Sequence, residues 1–533
     1  MLTHQPRSRT PLHLARPDTT SRTRTPIRLL GLVWHDRWIG SAVAAGAAAI
    51  TGLLAATIMP RGPITSTQAL WLLVAGLATG ALAGLAMRSR WAMVLAPIAN
   101  VLAFEFGRRG TDGPTVDGLH FDTTFGILAI VLSRGVYALV GLVPMALGAV
   151  YGAALARRWS PRPQRARRRR IGFYVRRAGG TLTTVGVIAL AMLIARPAST
   201  PAIAGPDGAR LPGSVAELTK IRLGGHDQWI LVRGASVDKP VLLWLDGGPG
   251  QSGLAFTRAL FGDLEQDFVV VDWDQRGAGK SYPALDPTAT WTLEQAVSDT
   301  IELTNELRQR FDEEKIYLGG ESWGTTLGVL AVQRHPELYH AYLGSGQMVS
   351  QRETDRRIYH DLLVYADRTG DTDLANKLRG YGEPPYADVW AYGFVMEHYE
   401  LIETDYAPPA YYDERGNESG IGPWGLMAGE YDLVDKVNVL RGLIDSFAVM
   451  YPQLQEIDFR RDVPRLEVPV YLFDGAHELN ARRDLALEWY GQLQAPTKRI
   501  YTFADAGHAP AREEFQAFHQ IMVDVVVPET YSR

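Results

Sequence analysis

The stretch Lys315-Ile316-Tyr317-Leu318-Gly319-Gly320-Glu321-Ser322-Trp323-Gly324 decides how this 533-residue chain is read. KIYL is a short apolar run of the kind that forms a buried strand, and Gly324–Arg334 continues with a helical pattern. Between them, Gly320-Glu321-Ser322-Trp323-Gly324 spaces two glycines around a serine. The glycines permit a turn so tight that the serine projects from it, and the following helix N-terminus favours negative charge developing beside it. Ser322 is therefore the candidate nucleophile.

Working outward, further strand-like runs alternate with helical patterns from residue 214 onward. The strands are Val241–Leu245, Phe268–Val271, Ala341–Gly344, Pro469–Phe473 and Arg499–Phe503, and Thr292–Phe311 reads as a second helix. Such alternation predicts a mostly parallel sheet with helices on both faces and a site beyond the carboxyl ends of the strands. Three more motifs fall at those ends. Asp246-Gly247-Gly248-Pro249-Gly250 follows the first of these strands, and its glycines let backbone N–H groups approach a substrate oxygen. Gly507-His508 follows the last, which suits a general base that comes after the nucleophile and the acid in chain order. For the acid, Glu478 lies in the loop beyond Pro469–Phe473, placed to reach an imidazole. Asp474 at the strand end and Asp505 are the alternatives. Asp246 and Glu321 are two carboxylates near the nucleophile, and the reading gives them to a substrate's protonated amine. The alternative for Asp246 is a structural role within its own loop.

These motifs resemble the proline iminopeptidase family of serine aminopeptidases, which are α/β-hydrolases. His-Gly-Gly-Pro-Gly of that family appears as Asp246–Gly250, with Asp in place of His. Asp-Gln-Arg-Gly-x-Gly-x-Ser appears intact at Asp274–Ser281, and Gly-Gly-x-Ser-Trp-Gly at Gly319–Gly324. Arg334-His335-Pro336-Glu337, Gly475-Ala476-His477-Glu478 and Ala506-Gly507-His508 with Glu513-Glu514 and Phe518 complete the set. The likeness covers roughly residues 214–530. It implies an α/β-hydrolase core at 214–349 and 461–533 with a helical cap at 350–460. It also implies an oxyanion hole from the N–H groups of Trp323 and of Gly247 or Gly248, and no metal or cofactor. The substrates implied are short peptides with a free amino end. A small-molecule esterase or amidase is the alternative. Leu243–Gly250 and Gly320-Glu321-Ser322 also resemble serine carboxypeptidases, and a catalytically silent sensor ectodomain is a reading from another class.

The first 200 residues differ from the rest. They hold 24 arginines, no lysine and six acidic residues, a net +18, which leaves −22 on residues 201–533 of a chain with net charge −4. Five apolar stretches, at 38–59, 69–87, 91–106, 124–156 and 179–195, suit membrane spans of about 20 residues, the third short and the fourth long. Arginines gather in the tail 1–37 (Arg7, Arg9, Arg16, Arg22, Arg24, Arg28), at Arg88 and Arg90, and between Arg157 and Arg177, including Arg167–Arg170. The loops 60–67 and 107–122 are poor in net positive charge. The positive-inside rule then predicts a multi-pass protein of the cell membrane, with a cytoplasmic N-terminus and an extracytoplasmic hydrolase. The arginine run between two apolar spans reads as a stop-transfer signal in contact with lipid, with no nucleic-acid partner. Arg134 reads as snorkelling to the outer interface. Residues 197–213, rich in Pro, Ala, Gly and Ser, read as a flexible linker, within which Ala202-Ile203-Ala204 resembles a signal-peptidase site. The absence of cysteine excludes disulfides, a thiol nucleophile and thiolate metal sites.

Overall fold

The computed structural model describes residues 33–159 and 171–531. The arginines of the N-terminal tail up to Arg28 and the run Arg167–Arg170 lie outside the described residues. The chain forms two compact units. One holds residues up to Leu54, Val74–Phe106 and Leu142–Gly180, and the other Ala55–Leu73, Gly107–Gly141 and the chain from Thr181 onward.

The first unit is built from apolar helices: α1 (Arg37–Ile58), α2 (Ser66–Met87), α3 (Ala92–Gly107), the long α4 (Thr124–Trp159) and α5 (Ile171–Ile194). Some of them continue into the second unit. Four are long and apolar enough to cross a membrane, whereas α3 has 16 residues. Within the unit they pack through small residues. A Cβ on Gly80 would lie 2.7 Å from the Met145 carbonyl carbon, and one on Gly152 would lie 2.8 Å from that of Ala81. Gly84 and Gly148 meet the facing backbone as closely, so paired Gly-x3-Gly steps on α2 and α4 let the two backbones touch. Polar contacts are internal: Asn100 donates to the Ala48 carbonyl (3.1 Å), and Thr51 bonds Thr79 (2.9 Å). Ile50, Leu82 and Leu102 instead expose more than half of their surface, as suits an apolar surrounding.

The second unit carries an eight-stranded sheet in the order β1-β2-β4-β3-β5-β6-β7-β8. The strands are β1 (Val215–Leu223), β2 (His226–Gly234), β3 (Val241–Leu245), β4 (Val269–Asp274), β5 (Ile316–Glu321), β6 (Tyr339–Ser345), β7 (Val470–Gly475) and β8 (Lys498–Phe503). Strands β3 to β8 pair in parallel, while β1 and β2 are antiparallel additions at one edge. The central strands are buried along their whole length, which is why they read as unbroken apolar runs. β1 alternates apolar and polar residues, a half-exposed pattern that the sequence reading did not resolve.

Helix α6 (Leu254–Leu260) follows the glycine loop after β3. Helix α7 (Leu293–Phe311) begins where Thr292 accepts from the Gln295 amide, and α8 (Trp323–Arg334) begins directly after Ser322. Between β6 and β7 the chain is helical: α9 (Gln351–Thr369), α10 (Thr372–Tyr381), α11 (Val389–Met396), α12 (Ala410–Glu418) and α13 (Leu433–Met450). Helix α14 (Asn480–Gln492) follows β7.

One expectation needs correction. Residues 197–213 are not a loose linker. Arg233, paired with buried Glu265 (2.6 Å), donates to Thr200 Oγ1 (2.9 Å) and to the Pro201 carbonyl (2.6 Å). Ser199 donates to Gly429 O (2.8 Å), and Ile203 is buried with its carbonyl bonded to Leu211 N. The resemblance of Ala202–Ala204 to a cleavage site therefore falls on backbone that is already bonded. Arg134, expected to snorkel toward the loop before α4, donates to the carbonyls of Val116 (3.1 Å) and Asp117 (3.0 Å) in that loop.

Candidate active site

Strand β5 ends at Glu321, and Ser322 sits at φ 52°, ψ −120°, a backbone region that a residue with a Cβ rarely enters. Its amide donates to Ser345 O at the end of β6 (3.1 Å), and its carbonyl accepts from Thr325 N (2.8 Å) and Oγ1 (2.6 Å). The two flanking glycines have no room for a side chain. A Cβ at Gly320 would lie 2.6 Å from the Gly324 carbonyl carbon, and one at Gly324 would lie 2.9 Å from Asp246 O and overlap Leu245 O. The Gly-x-Ser-x-Gly spacing thus records a turn pressed against the end of β3.

The base and acid come from the next strands. His508 lies in the loop after β8, and its Nδ1 is hydrogen-bonded to Glu478 Oε2. The other Glu478 oxygen accepts from Leu479 N (2.7 Å) and Arg482 Nε (2.8 Å). Burial pushes this carboxyl up, but the Arg482 and His508 charges and hydrogen bonds outweigh it and hold it down at about 2. It is therefore a carboxylate at neutral pH, and the bond at Nδ1 leaves Nε2 to accept a proton. The turn after β6 ties the pair to the serine: a Cβ on Gly346 would lie 3.1 Å from His508 Nδ1, and Ser345 already holds Ser322 N. The alternative acids are engaged elsewhere. Asp474 pairs with Arg483 (2.8 Å), and Asp505 is exposed.

Two residues that the sequence reading left without a role position this set. Glu513 accepts from Gly507 N (2.6 Å) and Ala509 N (3.3 Å), the amides on either side of His508, and from the Tyr406 hydroxyl (3.3 Å). Gln275 donates to the Asp246 carbonyl (3.1 Å) and accepts from the Trp323 indole (2.8 Å). It joins the two segments expected to supply the oxyanion donors. Gly247 borders the nucleophile, since a Cβ there would lie 3.2 Å from Ser322 Cβ. Gly248 has φ 112°, and Trp323 opens α8, where first-turn N–H groups have no helical partner. The intact Asp274–Ser281 motif was the signal for Gln275; the pairing of Glu513 with a backbone loop left no local signature.

The structure corrects the expectation for Asp246 and Glu321. Asp246 has no exposed surface and Glu321 is 5% exposed. Buried Arg512 is ion-paired to Asp246 and, at 3.4 Å, to Glu321. These carboxylates face a buried cation rather than an incoming amine. Asp272, hydrogen-bonded to Thr257, is pushed well up by burial and by the Asp246 charge, and burial also raises Glu321. The physical reason is topological: Arg512, four residues past His508, is carried between β3 and β5 by the loop that delivers the base. Arg512→Met should cost about 3–5 kcal/mol, because it leaves buried carboxylates without their cation. A carboxyl whose folded pKa is raised contributes stability below its unfolded pKa and loses it as pH rises through the folded value. The variant's deficit should therefore be largest near pH 8 and shrink as pH falls toward 5. Urea unfolding across that range checks it, and a deficit that grows on acidification would contradict the assignment.

Among the described residues, no group of three or more His, Asp or Glu side chains is placed to hold a metal ion. The model of the α/β hydrolase fold family matches residues 240–513, just over half of the chain. A probable aminopeptidase of Bacillus subtilis, YbaC, is 29% identical over 306 residues, covering 57% of this chain and 94% of that protein. The proline iminopeptidase of Lactobacillus delbrueckii subsp. lactis is 23% identical over 311 residues, covering 57% of this chain and 96% of its own. Among solved structures, a proline iminopeptidase of Mycobacterium smegmatis aligns with a TM-score of 0.41 and 16% identity, over 58% of this chain and 97% of its own. With the family match spanning the elbow serine, the acid and the histidine, the chain belongs to the α/β-hydrolase fold family.

Proposed function

We propose that the protein is a membrane-anchored, extracytoplasmic serine hydrolase that releases N-terminal residues from short peptides. The observation that carries this reading is the strained Ser322 elbow beside the Glu478–His508 pair. His508 Nε2 takes the Ser322 proton as the hydroxyl attacks the substrate carbonyl, and Glu478 stabilises the imidazolium that forms. The amides of Trp323 and Gly247 or Gly248 hold the tetrahedral oxyanion. His508 then protonates the leaving amine, and water releases the acyl group by the same steps in reverse.

The preference for a free amino end is supported by the names of the relatives and by the −22 on residues 201–533, which attracts cations. It is no longer supported by Asp246 and Glu321. The extracytoplasmic placement is supported by the arginine asymmetry. The loops it puts outside, 60–67 and 107–122, belong to the same compact unit as the hydrolase. The test is kcat/KM on a short peptide and on its N-acetylated twin, with protease added to intact spheroplasts alongside. Faster cleavage of the free amine and digestion of the hydrolase without lysis are expected. Equal rates on both peptides would favour an esterase or amidase, and protection until lysis would reverse the topology.

A further inference from the structure

We propose that Arg61, in the loop joining α1 and α2, is a positioning residue for the oxyanion loop and acts through helix α13. This rests on the serine-hydrolase reading above. Helix α13 presents two working faces. On one, Asn438 donates to Ile64 O (2.9 Å), and buried Arg441 donates to Pro63 O (2.9 Å) and to Leu132 O (2.7 and 3.1 Å). One turn further on, Asp445 accepts from Thr115 N (2.9 Å) and Oγ1, from Tyr282 Oη, and from Arg61 Nη1 (3.4 Å). Arg61 also holds Asp286 through two bonds (2.8 and 3.0 Å) and donates to Asp112 O (2.7 Å). Residues 61–64 and 112–115 lie between the apolar helices and Leu132 lies within α4, so this face is gripped by segments of the N-terminal region.

The other face of α13 meets the catalytic loops. A Cβ on Gly442 would lie 2.7 Å from Gly250 O and 2.8 Å from Gly277 O, so the helix lies directly against the end of the glycine loop Asp246–Gly250. Ser446 accepts from the Trp291 indole (3.1 Å) and touches Gly277, and Asp435 pairs with Lys280 (2.6 Å). Gln275, in the same stretch, bonds Asp246 O and Trp323.

A tether needs no buried charge. Here Arg61, Arg441 and Asp445 are each at most 2% exposed. Burying them is costly unless every partner is in place, and a fully partnered network holds one geometry. A shift of α13 would pass to Gly250 by direct contact, and oxyanion donors act only when aimed at the developing charge.

The experiment uses the full chain in detergent micelles, with Arg61→Ala and the milder Asp286→Asn, whose side chain is partly exposed. The Arg61→Ala variant should lose about tenfold to a hundredfold in kcat, as a sub-ångström to 1 Å misplacement does, with KM changed less than about threefold. Labelling of Ser322 by a fluorophosphonate should slow in parallel, and Asp286→Asn should show a smaller loss of the same kind. Unchanged kcat and labelling in folded Arg61→Ala, measured well below its unfolding temperature, would overturn the proposal and leave these loops as an anchor. If Arg61→Ala does not fold, wild-type kcat in Asp286→Asn overturns it. Activity surviving in Ser322→Ala would instead remove the serine-nucleophile reading, so the two failures are distinct.

Discussion

Ser322→Ala should lower kcat by about 10⁴–10⁶, the loss seen when a triad serine is removed and only binding and the oxyanion donors remain. The variant isolates chemistry from folding. Ser322 is held at φ 52° with its amide on Ser345 O and its carbonyl on Thr325. Alanine keeps the Cβ, so the backbone strain and these bonds persist while only the hydroxyl is lost. Ser322→Gly makes the complementary point. It removes the same hydroxyl but also relieves the strain, which at such a position is worth about 1–3 kcal/mol. Glycine should therefore be as inactive as alanine and more thermostable. Turnover within tenfold of wild type in either variant would dismiss Ser322 as nucleophile, and a glycine variant less stable than alanine would dismiss the strain argument.

Legibility in the sequence followed burial. Strands β3 to β7 are buried on both faces, so each appears as an apolar run that can be placed to within a residue or three at the ends. The edge strand β1 is half-exposed and looks like ordinary polar sequence until its alternation is followed. Ser322 and His508 were visible because local chemistry marks them: glycines where a Cβ cannot fit, and a histidine after the last strand. The fate of Asp246 and Glu321 was not visible. Their partner Arg512 lies 266 residues from Asp246, and no local pattern announces an ion pair across that separation. The same holds for the loop 197–213. Its composition suits flexibility, yet Arg233 in β2 supplies donors that fix it.

That contrast also bears on Arg61. A lone arginine in a short loop between apolar helices is ordinary, because the positive-inside rule is a bias in charge number and not a bar to single charges. Only the three-dimensional arrangement shows that it meets Asp286 and Asp445, which are far away in sequence and belong to the hydrolase part. Charges in sequence mark topology on average, whereas individual charges are placed by partners.

Glu478→Gln should cost about 10⁴ in kcat, and Asp474→Asn less than tenfold, because only the first changes the imidazole. The size follows from how the carboxylate is divided. One oxygen accepts from Leu479 N and Arg482 Nε, and the other from His508 Nδ1. A glutamine has a single acceptor oxygen, and two donors, one of them a buried guanidinium, compete for it. The oxygen therefore stays with Leu479 and Arg482, and the amide NH₂ turns toward His508. Nδ1 must then act as acceptor, which puts the ring proton on Nε2 and leaves nothing to take the Ser322 proton. Asp474 instead faces Arg483 and Thr502, and its change leaves the tautomer alone. Comparing kcat for the two variants decides the assignment, and a larger loss in Asp474→Asn would transfer the role to that residue. Stability gives a second reading with a definite sign. The folded Glu478 carboxyl is held at about 2, below its unfolded value of about 4.3. Its contribution is complete above the unfolded value and is lost as pH falls through the folded one. Wild type should exceed Glu478→Gln in stability at neutral pH, and the gap should close between about pH 4 and pH 2. A gap that stays constant across that interval would mean that the carboxylate is not what Arg482 and His508 hold.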